Sequence, residues 1–132
     1  MTASAPLTVL CHPRCSTCAK ALAWLDEHGI EYHWRSIIEE NPSSDELSRW
    51  IPTSGLSIRR FFNTSGMAYR SQNVKAQLDD WEKTLSPAEV QTKAIDLLST
   101  DGMLCKRPLI LDAEGNFVAV GFKVAEWEAA LL

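Results

Sequence analysis

The sequence predicts an α/β fold in the order β-α-β, a helical insert, then β-β-α, on a mixed sheet of about four strands. Three observations carry this reading. A short apolar run, a helix-periodic stretch and a second strand-like run fill the first forty residues. Residues 43–100 are helical in pattern and punctuated by two capping boxes. Near the C-terminus, two short β-rich runs flank Ala113-Glu114-Gly115-Asn116, a hairpin signal.

Residues 7–11, LTVLC, lack polar alternation, which suits a strand covered on both faces, and Pro13 stops it. From Cys18, the positions Ala21, Leu22 and Leu25 follow helical spacing, and Gly29 falls where a left-handed cap belongs, so a helix of about fourteen residues is expected. Residues 30–38 read as the second strand, with Tyr32, Trp34 and Ser36 alternating against Glu31, His33 and Arg35. A strand-helix-strand unit of this size is the right-handed parallel crossover. Ser43 with Glu46 caps a helix carrying Leu47, Trp50 and Ile51, and Val74, Leu78, Trp81 and Leu85 keep helical spacing. Ser86, Pro87 and Glu89 open another helix, followed by Val90, Ala94, Leu97 and Leu98. Thr53–Gly55 and Asn63–Gly66 read as loops. After Arg107-Pro108 come strands at 109–112 and 117–120, then a helix with Val124, Trp127 and Leu131 on one stripe.

At 132 residues, 45% hydrophobic and 23% charged, the chain is the size of one domain, 1–132, and its composition excludes disordered and collagen-like classes. No apolar run approaches the length of a membrane span. The N-terminal MTASAPLTVLCH lacks the pattern of a secretory leader, so the cytoplasm is the expected compartment. A net charge of −4 supplies no field that would draw the protein to nucleic acid. A monomer is expected, because no long heptad run or exposed apolar strand can be identified.

Three of the four cysteines, Cys11, Cys15 and Cys18, lie within eight residues, which in a reducing compartment points to redox chemistry or metal. Cys15-Ser16-Thr17-Cys18 stands between the first strand and the first helix. Unpaired amides and the helix dipole stabilise a thiolate at Cys15, and residues three apart on a helix share a face close enough for a disulfide after a small adjustment. Cys15 can therefore attack and Cys18 resolve. A zinc site needs four ligands, and no second C-x-x-C or H-x₃₋₅-H pair exists; Cys11, His12, Cys15 and Cys18 would have to serve alone, with Cys11 inside a strand. Cys11 and Cys105 read as small buried apolar residues, Cys105 standing just before the proline element. No resident cofactor or metal is expected.

The run VLCHPRCSTCAKALAWLDEHGIEY, with KRPLILD downstream and VGFKVAEWEAAL at the end, resembles the arsenate reductase (ArsC) and Spx family across essentially the whole chain. The resemblance implies a thioredoxin-like core at 5–40 and 103–132 interrupted by a helical insert at 43–100, with Pro108 as the cis proline facing the active-site cysteine. It matches Cys15 to the nucleophile and Cys18 to the second cysteine of the Spx-type branch, where the pair forms a redox-switched disulfide. Arg59 and Arg107 match two arginines that hold the oxyanion in the reductases through forked hydrogen bonds. Arg59 and Arg60 adjoin, so at most one can readily point at the pocket, and the motif favours Arg59. A third family arginine is replaced near Gly121-Phe122-Lys123, which weakens arsenate as the substrate, and the histidine before the active-site loop is replaced by Cys11 with His12 adjacent.

Two functions follow from the resemblance. One is a thiol-disulfide oxidoreductase resembling the glutaredoxin-coupled arsenate reductases, with glutathione as co-substrate. The other is a regulator like Spx, which binds the C-terminal domain of the RNA polymerase alpha subunit.

Overall fold

The computed structural model describes residues 6–132. The expected start of the core at residue 5, and the first five residues of the N-terminal stretch, lie outside that range. The chain runs β1 (Leu7–Cys11), α1 (Ser16–Glu27), β2 (Tyr32–Ser36), α2 (Ser44–Ser54), α3 (Met67–Ser71), α4 (Val74–Thr84), α5 (Pro87–Leu98), β3 (Leu109–Leu111), β4 (Phe117–Val120) and α6 (Val124–Leu131). Single 3₁₀ turns occupy Ile58–Phe61 and Gly102–Leu104.

The four strands form one mixed sheet in the order β2-β1-β3-β4. β1 is parallel to β2, with Leu7 opposite Tyr32, and antiparallel to β3, with Leu10 opposite Leu109. β3 and β4 form the expected hairpin, with an irregularity between Ile110 and Leu111. Alternation along the strands sends side chains to two separate cores. Val9, Cys11, Ile110 and Ala119 pack with Cys18, Ala21 and Leu25 of α1 and Trp127 of α6. Leu10, Leu109, Leu111 and Val120 pack instead against the helical insert, meeting Trp50, Leu78 and Leu98. Leu10 and Leu25 are fully buried, each contributing about 2 kcal/mol of hydrophobic stabilisation.

Local signals fix the element ends. Both capping boxes form: Ser43 Oγ accepts from the Glu46 amide at 3.1 Å and Ser86 Oγ from the Glu89 amide at 3.2 Å, with each glutamate reaching back to its serine amide. Gly29 has φ +66, and the amides of Gly29 and Ile30 close on the carbonyls of Asp26 and Leu25, the double bond of a Schellman ending. Arg35 on the edge strand β2 grips Glu46 with two hydrogen bonds of 2.8 and 2.9 Å, fastening that edge to the start of α2. Buried indoles tie elements as well: Trp50 Nε1 donates to the Gly115 carbonyl and Trp127 Nε1 to that of Gly121, each at 3.0 Å.

Some expected boundaries need correction. β2 is Tyr32–Ser36, shorter than the 30–38 run, because Ser36 Oγ accepts from the amides of Ile38 and Glu39 and turns the chain. α1 has 12 residues instead of about fourteen and begins at Ser16. β3 ends at Leu111, and the expected loop at Thr53–Gly55 is the last turn of α2 followed by Gly55 in the left-handed region. Trp34 on the edge strand β2 is 46% exposed. The 3₁₀ turn at Gly102–Leu104 lies directly under the end of β2: a Cβ on Gly102 would stand 1.9 Å from the Ile37 carbonyl oxygen. No described helix is long and apolar enough to cross a membrane.

Candidate functional site

The C-terminal end of β1 turns through His12-Pro13-Arg14 into α1. The Cys15 amide donates to the His12 carbonyl at 3.1 Å and the Arg14 amide to His12 Nδ1 at 3.0 Å, which makes the turn tight. Cys15 is the N-cap of α1, in extended backbone (φ −94, ψ 118). Its carbonyl accepts the first helical bond, from Ala19 at 3.1 Å. Cys15 is partly exposed, whereas Cys18, one turn further along, is only 2% exposed. The arrangement expected from C-x-x-C is therefore in place: an outer sulfur at the helix entrance and an inner one beneath it.

Cys11 makes a third member of the group. It ends β1 on the face that packs against α1, fully buried in the same core as Cys18. The Cys11 thiol hydrogen-bonds to a thiolate at Cys18, and this contact does most to draw Cys18 down to about 6; a backbone hydrogen bond from His12, the Cys15 thiol and the Arg107 charge act the same way against burial. Conversely, Cys11 holds its proton far above the ordinary thiol range, first because it donates to Cys18, then because it is buried among the other two sulfurs. The surroundings of Cys18, one turn inside α1, thus favour its thiolate.

β3 supplies the facing wall. With Leu10 opposite Leu109, the register carries Pro108 alongside Cys11, and the Arg107-Pro108 peptide is cis. The Arg107 charge acts on both Cys11 and Cys18. Its Nε and Nη1 are buried and, among the described residues, have no hydrogen-bond partner, so this guanidinium has donors to offer an anion beside the sulfurs.

A cleft of about 600 Å³ opens beside the motif, and its lining includes Thr17, Arg59, Arg60, Lys106, Gly121 and Lys123. Arg59 reaches the cleft wall, but its Nη2 is engaged by Asp79 at 2.8 Å and by Glu82. Arg60 pairs with Glu126 at 3.1 Å. The two neighbours thus both line the cleft, each held by carboxylates. Lys106 and Lys123 line the cleft and make no ion pair among the described residues. Arg14 is exposed. Cys105 lies on the opposite core, 2% exposed, with its thiol 3.6 Å from the Leu98 carbonyl, and burial followed by the Asp101 charge pushes it up to about 12.

Sequence reasoning set Cys11 aside as core. It is core, and the alternation of Val9 and Cys11 along β1 was the signal that would also have aimed it at α1. Nothing in the sequence singled out Lys106. Among the described residues, no group of three or more His, Cys, Asp or Glu side chains is arranged to hold a metal ion.

A C-x-x-C at a strand-helix turn of a four-stranded mixed sheet, with a cis proline on the adjacent strand, defines the thioredoxin-like class. Within that class the chain belongs to the ArsC family, whose profile matches residues 10–130. It is 43% identical over 122 residues to the uncharacterized protein YusI of Bacillus subtilis strain 168, covering 92% of this chain and 95% of that one. Among solved structures, it is 43% identical to an ArsC family related protein from Bacteroides fragilis, with a TM-score of 0.81 over 96% of this chain and 99% of that chain. It is 38% identical to "a possible arsenate reductase" from Streptococcus mutans UA159, with a TM-score of 0.76 over 91% and 93% of the two chains. Regulators are also among its relatives, including the global transcriptional regulator Spx of Listeria innocua, 28% identical over 80% of this chain and 73% of that protein.

Proposed function

We propose that this protein is a thiol-disulfide oxidoreductase in which Cys15 attacks an anionic oxidised substrate and Cys18 resolves the product. The observation that carries the reading is the stacking of a partly exposed Cys15 over a buried Cys18, beside a guanidinium whose buried donors are free. Only Cys15 is open to a substrate from outside. As Cys15 attacks one sulfur of a disulfide R–S–S–R′, its proton passes by way of the hydrogen-bonded Cys18 to the departing R′S⁻, leaving a Cys15–S–S–R mixed disulfide and R′SH. The Cys18 thiolate then attacks the Cys15 sulfur and expels RS⁻. Two cysteines have given up two electrons, and an external thiol such as glutathione, or glutaredoxin, restores them.

Arg107 orients the anionic group, and the cationic wall of the cleft, Lys106 and Lys123 included, accommodates the rest of a peptide-sized thiol such as glutathione. Arsenate is the stricter test of this reading. Purified protein is assayed for arsenate-dependent glutathione oxidation with glutaredoxin, and in parallel for reduction of a glutathione mixed disulfide, with Cys15→Ser alongside. Turnover in either assay that disappears in the variant supports an enzyme; equal rates with and without Cys15 sink the proposal.

A second reading is favoured by the similarity to Spx over most of the chain: the same disulfide acts as a switch for binding the RNA polymerase alpha subunit. Capture of the alpha C-terminal domain by the oxidised form and not by the reduced one, with no turnover of small substrates, would select this reading.

A further inference from the structure

We infer that the open edge of β2 docks a second copy of this chain, antiparallel about a two-fold axis at His33, so that two four-stranded sheets become one of eight strands. This departs from the monomer expected from the sequence, and it stands independently of the thiol chemistry. β2 is an outer strand, paired on one side only, with β1. The Leu7 amide donates to the Glu31 carbonyl and the Ile37 amide to that of Cys11, so the odd-numbered residues of β2 turn their peptide groups toward β1. The N–H and C=O groups of Tyr32 and Trp34 therefore point outward, and among the described residues no hydrogen bond engages them. Exposed edges are ordinarily blunted by lysine, proline or a bulge. Residues 31–36, EYHWRS, contain neither residue, and Tyr32–Ser36 pair with β1 without a register shift. On that unguarded edge Trp34 is 46% exposed. β4, the other outer strand, is interrupted by a register shift against β3.

Self-complementarity of the strand selects a second copy as the occupant. Trp34 stands beside Val9 and Tyr32 beside Leu7, on the α1 face of the sheet, whereas Arg35 stands beside Leu10 on the insert face, which Glu31 and His33 share by alternation. With His33 opposite its own copy, Tyr32 meets Trp34 of the second copy on the α1 face, and symmetry repeats the pair. Tyr32 and Trp34 are then the hydrogen-bonded pairs of the new ladder, which uses the outward peptide groups of both. On the other face Glu31 meets Arg35 of the second copy, again twice. Arg35 commits three of its five N–H groups to Glu46 and the Glu40 carbonyl, which leaves two for that carboxylate. Sliding the strands one way sets Arg35 against His33 or against its own copy, and like charges opposite each other oppose pairing. Sliding them the other way sets Arg35 opposite Gly29, beyond the start of the strand. Aromatic and opposite-charge pairs are the cross-strand pairs that stabilise a ladder, and this register has both kinds. The cleft beside Cys15 is lined from the β4 side, at Val120 and Gly121, three strands from this edge, so the dimer leaves both clefts open.

Full-length protein, kept reduced so that no disulfide joins two chains, is followed by sedimentation equilibrium from micromolar to millimolar concentration and by amide hydrogen exchange at both ends of that range. A reversible monomer–dimer equilibrium is expected, with exchange at Tyr32 and Trp34 slowing as the dimer forms, while His33 and Arg35, already bonded to β1, change least. Trp34→Lys, at an exposed position, should stay monomeric throughout. Glu31→Arg should weaken association about tenfold, because both carboxylate–guanidinium pairs become like-charged. A wild type that is monomeric at every concentration overturns the proposal, as does a dimer in which Tyr32 and Trp34 exchange as fast as in the monomer. Slowing of those two amides only when an extended segment of another protein is added overturns it as well, and assigns the edge to a foreign strand. A Glu31→Arg dimer as tight as wild type overturns the register at His33. Wild-type exchange decides the first three outcomes without any variant, and all of them leave the thiol-disulfide reading as it stands.

Discussion

Cys18 and Cys105 are buried to the same 2% exposure, on opposite faces of one sheet, yet the first is drawn down to about 6 and the second pushed up to about 12. Burial alone would raise both. The difference comes from what surrounds each sulfur. Cys18 sits in the first turn of α1 with the Cys11 and Cys15 thiols to donate to it and Arg107 nearby. Cys105 meets the Leu98 carbonyl, which can only accept, and the Asp101 carboxylate, which repels a thiolate. An accessible surface fraction therefore says little about thiol reactivity; the sign of the nearest dipoles decides it.

The contrast can be broken in several ways. The largest effect is expected from exchanging the two positions for serine. Cys18→Ser should abolish resolution, trapping a mixed disulfide on Cys15 that intact-mass analysis detects, while Cys105→Ser leaves turnover within about twofold of wild type. Loss of turnover in both variants would show that the two sulfurs are not functionally distinct.

Next comes the pH dependence of stability. A cysteine whose folded value lies below its unfolded value contributes stability in full above the unfolded value, and that contribution is lost as pH falls through the folded one. For Cys18 the window runs from about 9 down to about 6. The stability advantage of reduced wild type over Cys18→Ser should shrink by about 3 kcal/mol between pH 8.5 and pH 6, measured by urea unfolding. Cys105, raised instead of lowered, contributes no such dependence across that range, so Cys105→Ala should run parallel to wild type.

Arg107→Met should move the Cys18 thiolate absorbance at 240 nm upward in pH by about one pH unit, because an adjacent opposite charge is removed. An unmoved titration would mean that the hydrogen bonds from Cys11, His12 and Cys15 set the value without Arg107. The smallest effect belongs to Cys105→Ala itself, a loss of about 1 kcal/mol from a small cavity in the insert-facing core.

Where local chemistry dictates the structure, the sequence announced it. β4 at 117–120, the two capping boxes and the β3–β4 hairpin form as their residues require. The short pieces were illegible for a physical reason: α3 at Met67–Ser71 and the 3₁₀ turns span too few residues to show a period, and their positions depend on distant contacts. The same holds within the site. Cys15, Cys18, Arg107 and Pro108 stand in local motifs that name their place. The ion pairs of Arg59 with Asp79 and Glu82 cross 20 and 23 residues of chain, and the approach of Cys11 to Cys18 depends on how β1 leans on α1.

The bare Cα of Gly102 under the Ile37 carbonyl has a reach beyond its own turn. Only three residues separate the end of that turn from Pro108, so whatever sets the spacing there also helps to place Arg107, whose charge acts on Cys11 and Cys18. A methyl group at 102 would act as a shim: it would lift the strand's entry off the sheet and detune the thiols from a distance, without touching any of them.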